Sequence, residues 1–181
     1  AWRAPQIQDG TVLVVNLPGE FYLEEDYEAW GPANLIYHPR DDQVLIHAEV
    51  MIQDTALKVM EGGGSFRLLR TIEFTRDFEK TLVLSVPGIN SCLHAVDSRT
   101  PELMPDEDPL VMLMAPSSRI DRIVSQGESP LTLGMVFGEE PKHTWCYFYE
   151  KAALARQRGD WQEAARLGDQ ALSAGYRARD F

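Results

Sequence analysis

The chain has 181 residues and a mass of 20.4 kDa, with 44% apolar and 25% charged residues, a globular composition with room for one sizeable core. Its 17 basic and 28 acidic groups leave a net charge of −11, which argues against nucleic acid or an anionic lipid surface as the main partner. No apolar run in the sequence approaches the ~20 residues that span a bilayer, and two cysteines are too few for a disulfide framework.

In chain order, residues 11–17 form a nearly continuous β-branched run, the pattern of a strand buried on both faces, and Pro18-Gly19 ends it. Residues 21–37 are acidic and aromatic. Glu24-Glu25-Asp26 open a helical pattern with its apolar positions at Tyr27, Trp30, Asn34 and Tyr37, and Gly31-Pro32 divides it into two expected short helical turns. Residues 43–50 alternate as a second strand. Gly62-Gly63-Gly64 mark a turn, and a meander follows through 66–71, 81–86, 92–96 and 110–114, punctuated by Pro87-Gly88, Pro101 and Pro105. Ile120, Ile123 and Val124 suit a short strand or turn, and 131–137 a last strand. This order predicts an α+β fold, a mixed β-sheet with flanking helices covering at least one face.

Residues 1–150 carry 11 basic and 24 acidic groups, a net −13, whereas 151–181 carry six and four, a net +2. The change of composition near Gly138-Glu139-Glu140-Pro141 divides a body, 1–140, from a helical hairpin, 141–181, expected to dock on it. Helices are predicted over 143–158 and 161–174. Gly159 suits a left-handed cap, and Asp160 with Glu163 has the spacing of a capping box.

Within the hairpin, Ala152, Gly159, Trp161, Ala164, Ala171 and Leu172 fall at the spacing of a tetratricopeptide unit, with Phe148 at its leading aromatic position. Small residues let two helices approach closely, and the aromatic after the turn is expected to plug the gap between them. Phe148, Trp161, Ala164 and Ala171 are therefore the expected packing residues. Lys151-Ala152 depart from the Leu-Gly pair of that pattern, and the period does not recur upstream.

The run 147–157, followed by Gly159-Asp160-Trp161, resembles a segment in the soluble C-terminal part of large prokaryotic polytopic membrane proteins. Those proteins are similar to glycosyltransferases of the dolichyl-phosphate-mannose–protein mannosyltransferase type. Pro87-Gly88, the stretch from Cys92 to Asp97 and Ser118-Arg119-Ile120 also look like that region, so the resemblance covers about half the chain. In that family the catalytic acids lie in the membrane part, so the resemblance implies a non-catalytic, extracytoplasmic soluble domain with no catalytic residue carried over. Its implied partners are the membrane-embedded remainder of the same chain and a carbohydrate, lipid-linked sugar headgroup or protein ligand. The start at Ala1 and the stop at Phe181 fit a segment of a longer or processed chain.

Other constellations have plainer expectations. Glu102, Asp106, Glu107 and Asp108, bracketed by prolines, lack the spacing of a calcium loop and read as a solvated acidic loop. Glu20, Glu24, Glu25, Asp26 and Glu28 lie beside Phe21, Tyr22, Tyr27 and Trp30. Flat rings stack on sugars while carboxylates accept hydroxyl protons, so Tyr22, Tyr27 and Trp30 are the expected ligand contacts. Cys92 and His94 share a strand face, but no third group completes a nucleophilic site. Cys92 and Cys146 are expected as two buried free thiols, a bridge being the alternative in an exported chain. No histidine spacing offers zinc, and Gly62-Gly63-Gly64-Ser65 lacks the rest of a phosphate loop, so neither metal nor cofactor is expected. Two rival readings stand beside the non-catalytic domain. One is a carbohydrate-active hydrolase pairing Glu24 or Glu25 with Glu102 or Asp106. The other is a cytosolic scaffold whose hairpin begins a longer helical repeat.

Overall fold

The computed structural model describes residues 3–19, 26–40, 43–69, 71–99, 101, 105–130, 134–139 and 142–178. In chain order these form β1 (Gln6–Ile7), β2 (Val12–Asn16), α1 (Tyr27–Tyr37), β3 (His47–Val50), α2 (Gln53–Glu61), β4 (Gly64–Leu69), β5 (Ile72–Asp77) and β6 (Thr81–Ser85). After them come β7 (His94–Ala95), α3 (Pro109–Met114), β8 (Ile123–Val124), α4 (Gly134–Phe137), α5 (Trp145–Gln157) and α6 (Trp161–Ser173). The fold is α+β, as expected. Among the described residues no helix is long and apolar enough to cross a membrane.

The central sheet has the order β3-β2-β6-β7. Strand β2 pairs in parallel with both β3 and β6, and β7 runs antiparallel to β6, so the sheet is mixed. The β-branched run of β2 is buried on both faces because helices cover both. Val12 and Val14 join Val83 under Ala56 and Val59 of α2 and Val111 and Met114 of α3. Leu13, Ala48 and Leu82 face the other way, toward Leu154 of α5 and the half-buried Ala29, Trp30 and Ala33 of α1. Two small antiparallel pairs complete the body, β1 with β8 and the β4–β5 hairpin.

Several expectations are corrected. First, α1 is one helix running through Pro32. The Asn34 side chain clamps it to the chain entering β3, donating to the carbonyls of Trp30 and Ile46 and accepting from the amides of Leu45 and Ile46, at 2.7–3.0 Å. That tertiary tie outweighs the local break. Second, 110–114 is helix α3 rather than strand. A short apolar run does not distinguish the two; the start signals do, with Pro109 in the first turn and the Asp108 carboxylate accepting from the Leu110 amide at 2.8 Å.

Third, the expected strand over 131–137 falls partly outside the described residues, and its remainder is the helical turn α4. Gly138, at φ +72°, closes that turn with its amide on the Gly134 carbonyl. Fourth, the cysteines are not free: Cys92 and Cys146 form a disulfide, with Cα atoms 5.2 Å apart. The sequence reading had no helix where α2 lies.

The hairpin forms as predicted, with Gly159 at φ +79° and the Asp160 carboxylate accepting from the Glu163 amide at 3.0 Å. It contacts the body through Leu154, the disulfide, and two side chains at the end of α5. Gln157 Nε2 donates to the Ala95 carbonyl at 2.8 Å, and Arg158 donates to the carbonyls of Ile120 and Ile123. Ala171 is buried, Ala164 half-buried, and Phe148 packs on Tyr176 with ring centres 5.8 Å apart. Trp161 is a correction: it is 65% exposed and plugs nothing. It opens α6 just past the turn, where α5 has already ended, and Leu167 takes the space between the helices.

Candidate functional site

The parallel strands β3, β2 and β6 end side by side. From β2 the chain turns through α1 to β3 on one side, and from β6 it turns to β7 on the other. Open sheets containing parallel strands bind ligands where successive connections diverge in this way. Asn16 and Ser85 are the last residues of the two strands at that point. Asn16 Nδ2 donates to Ser85 Oγ at 2.9 Å and stands 3.4 Å from Glu107 Oε1. Ser85 Oγ donates to the same carboxylate oxygen. The other oxygen, Oε2, lies 3.2 Å from His94 Nε2, and both side chains are 1% exposed.

Burial pushes the Glu107 carboxyl up, but hydrogen bonds from His94, Ser85 and Asn16, with the imidazole's charge, outweigh it and hold the group below the usual carboxylate range. The set contains a serine, a histidine and a carboxylate, yet it is not wired for nucleophilic attack. In a catalytic triad the imidazole is the base on the serine oxygen; here Ser85 donates instead to a carboxylate held below its usual range, a weak base, and the imidazole faces that same carboxylate. The arrangement ties β2, β6 and β7 to the segment before α3. It also corrects the reading of a solvated acidic loop: Glu107 is buried and Asp108 caps α3, while Asp106 is exposed and Glu102 lies outside the described residues. His94 answers to Glu107, not to Cys92, whose sulfur is committed to the disulfide.

A second charged group lies over the edge strand β3. The register places His47 and Glu49 on the same face as Val12 and Val14, and the β4–β5 hairpin brings Arg67, Phe74 and Arg76 to them. Arg76 pairs with Glu49, donates to Ser65 Oγ at 3.0 Å and lies 5.6 Å from the Phe78 ring centre. Arg67 pairs with Asp26. His47 stacks on Phe74 with centres 5.2 Å apart, and burial, aided by the Arg76 charge, lowers its pKa to about 4. These groups are mutually engaged beneath the hairpin.

Of the three expected ligand contacts, Tyr22 lies outside the described residues. Tyr27 is the first residue of α1 and 41% exposed. Trp30 turns inward, half-buried and edge-on to Phe74 at 6.1 Å. Of the carboxylates invoked for hydrolysis, Glu24 and Glu25 are also outside the described residues. Among the described residues no group of three or more His, Cys, Asp or Glu side chains is arranged to hold a metal.

The open space is on the other face of the sheet. Helix α1 packs over β3 and α5 over β7. These outer strands stand three spacings apart, about 14 Å in a regular sheet, whereas helices in contact sit about 8–10 Å apart. The two helices therefore do not meet, and a gap remains between them above β2 and β6, whose Leu13 and Leu82 are nonetheless buried. A cavity of about 280 Å³ occupies that gap. Leu13, Leu82 and Leu84 form its floor, Ala33 and Ile36 one wall and Leu154 the other, with Tyr37 also on the α1 side. Burial pushes the Tyr37 phenol up to about 12, Arg3 and the Ala4 backbone opposing, so the wall carries no phenolate at neutral pH. Sequence reasoning missed this site because its lining has the composition of ordinary core. The one usable signal is the α1 stripe that ends at Tyr37.

No protein-family model, curated protein or solved structure matches this chain.

Proposed function

We propose that this chain is a non-catalytic, extracytoplasmic binding domain of a membrane-embedded, glycosyltransferase-like protein. The observation that carries the reading is the Cys92–Cys146 disulfide, because such bonds persist in oxidising compartments and are rare where thiols are kept reduced. Two further features support it. The buried pairs Glu49–Arg76 and Glu107–His94 hold one another, and the cavity between α1 and α5 is mainly apolar in its lining, the character of a binding cavity more than of a hydrolytic centre. The resemblance of 147–161 to the soluble part of such membrane proteins supplies the membrane partner. An acceptor, a lipid-linked sugar or a partner protein is the class of ligand.

The test is topological. The complete gene is expected to encode apolar spans of ~20 residues outside this segment. A periplasm-active phosphatase fused after residue 181 in the full protein is expected to be active, and the chain to migrate differently with and without reductant. A gene without such spans, or a fusion that works only with a cytoplasmic reporter, contradicts the reading.

A further inference from the structure

The cavity between α1 and α5 has a definite chemistry. Its floor and walls are mainly leucine, isoleucine and alanine side chains drawn from seven elements, β1, β2, α1, β6, β7, β8 and α5, with Arg3, Tyr37, His94 and Glu150 also in its lining. Over the leucine floor water gains little, because an ordered water needs two to four polar partners and Leu13, Leu82 and Leu84 offer none. An apolar cavity of about 150 Å³ stays dry and accepts benzene; this one, at about 280 Å³, has room for about ten carbon atoms by the same scaling. Its walls are fixed from both sides. Asn34 clamps α1 to the chain before β3, and on the opposite side the disulfide and Gln157 fasten α5 beside β7. Collapse of one helix onto the other would break these ties, so the gap is held open by the fold.

From this we infer that the cavity is a binding site for a hydrocarbon chain of about ten carbons, the tail of a lipid or lipid-linked molecule. The inference deepens the binding role proposed above but is independent of the compartment in which the chain works. Acyl and isoprenoid tails share the required chemistry, and the ligand arms of the experiment separate them.

The experiment titrates the 181-residue chain, methyl-labelled at Ile, Leu and Met, with n-decanol and with geraniol, straight and methyl-branched ten-carbon alcohols. Saturable shifts are expected at Ile36, Leu82, Leu84 and Leu154. A preference for geraniol assigns an isoprenoid tail and a preference for decanol an acyl tail. Ala33→Phe fills the cavity and is expected to weaken binding at least about tenfold without loss of the folded methyl spectrum. Leu84→Phe, from the floor, is the second variant should the first not fold. The inference is overturned if neither alcohol gives saturable shifts, if the shifts map instead to Leu57, Met60, Met112 and Leu113, which are exposed on α2 and α3, or if a folded filled variant binds as tightly as the parent. Ligand binding together with a cytoplasmic reporter result would remove only the location, and absence of binding with an exported reporter only the tail site.

Discussion

The two faces of the central sheet solve the same problem differently. On the face under α2 and α3, Val12, Val14 and Val83 pack against Ala56, Val59, Val111 and Met114, and the charged groups that intrude are paired, Glu107 with His94 and Glu49 with Arg76. On the face under α1 and α5 the helices pack over the outer strands and cover the middle ones while leaving a cavity between themselves. The first face holds nearly all the residues that look chemical in the sequence, and they are structural. The second holds residues that look structural, and it has the room. Buried charged side chains paired with one another are held away from solvent by the packing above them.

The sharpest way to break the comparison is to open one of the sealed pairs. Glu107→Ala leaves His94, Ser85 and Asn16 without their common acceptor and is expected to cost about 4 kcal/mol of stability, measured by urea unfolding. A cost below about 1 kcal/mol, the value of a surface pair, would show that the cluster does not hold the sheet together. Comparable in size is the disulfide. It closes a loop with a sequence separation of 54, so Cys92→Ser with Cys146→Ser is expected to lose about 4 kcal/mol and to loosen α5 first, visible as faster amide exchange in α5 than in β2. Equal exchange in both elements would mean that α5 does not depend on this tie.

Acid separates the faces further. His47 titrates near 4 in the folded chain but near its ordinary value of 6.5 when unfolded. Between those values the unfolded chain binds more protons, so stability falls as the pH drops from 6.5 to 4, by up to about 3 kcal/mol. Glu107, held below the usual carboxylate range, adds a loss of the same sign at lower pH. Replacing His47 with Phe is expected to flatten the upper part of that curve, and an unchanged slope would assign it elsewhere. The smallest expected effect is at the hairpin turn, where Asp160→Ala removes a helix cap worth about 1 kcal/mol, read as a lowered melting temperature with no change at the cavity methyls.

What the sequence disclosed and what it hid follow the same division. Strands β2 and β6 were legible because both faces are covered and their runs are continuous, and the α5–α6 hairpin was legible because Gly159 and Asp160 are local signals that no tertiary contact overrides. Helix α3 was misread because Leu110 to Met114 is too short for periodicity to decide, although Asp108 and Pro109 announced it. Helix α2 was passed over although Ala56 and Val59 carry its buried spacing. The bridge between Cys92 and Cys146 depends on α5 lying beside β7, a long-range fact absent from any local window. The cavity was the least legible feature, since it arises from where two helices fail to meet over a sheet rather than from any residue type.

A crystal structure of the chain grown with n-decanol addresses the central claim most directly. An extended chain of density lying between α1 and α5 above Leu13, Leu82 and Leu84, with Glu107 still closed on His94 and Ser85, is the predicted result. A crystal in which α1 has moved onto α5 and the gap is gone, or in which the ligand sits against Glu107 instead, would contradict it.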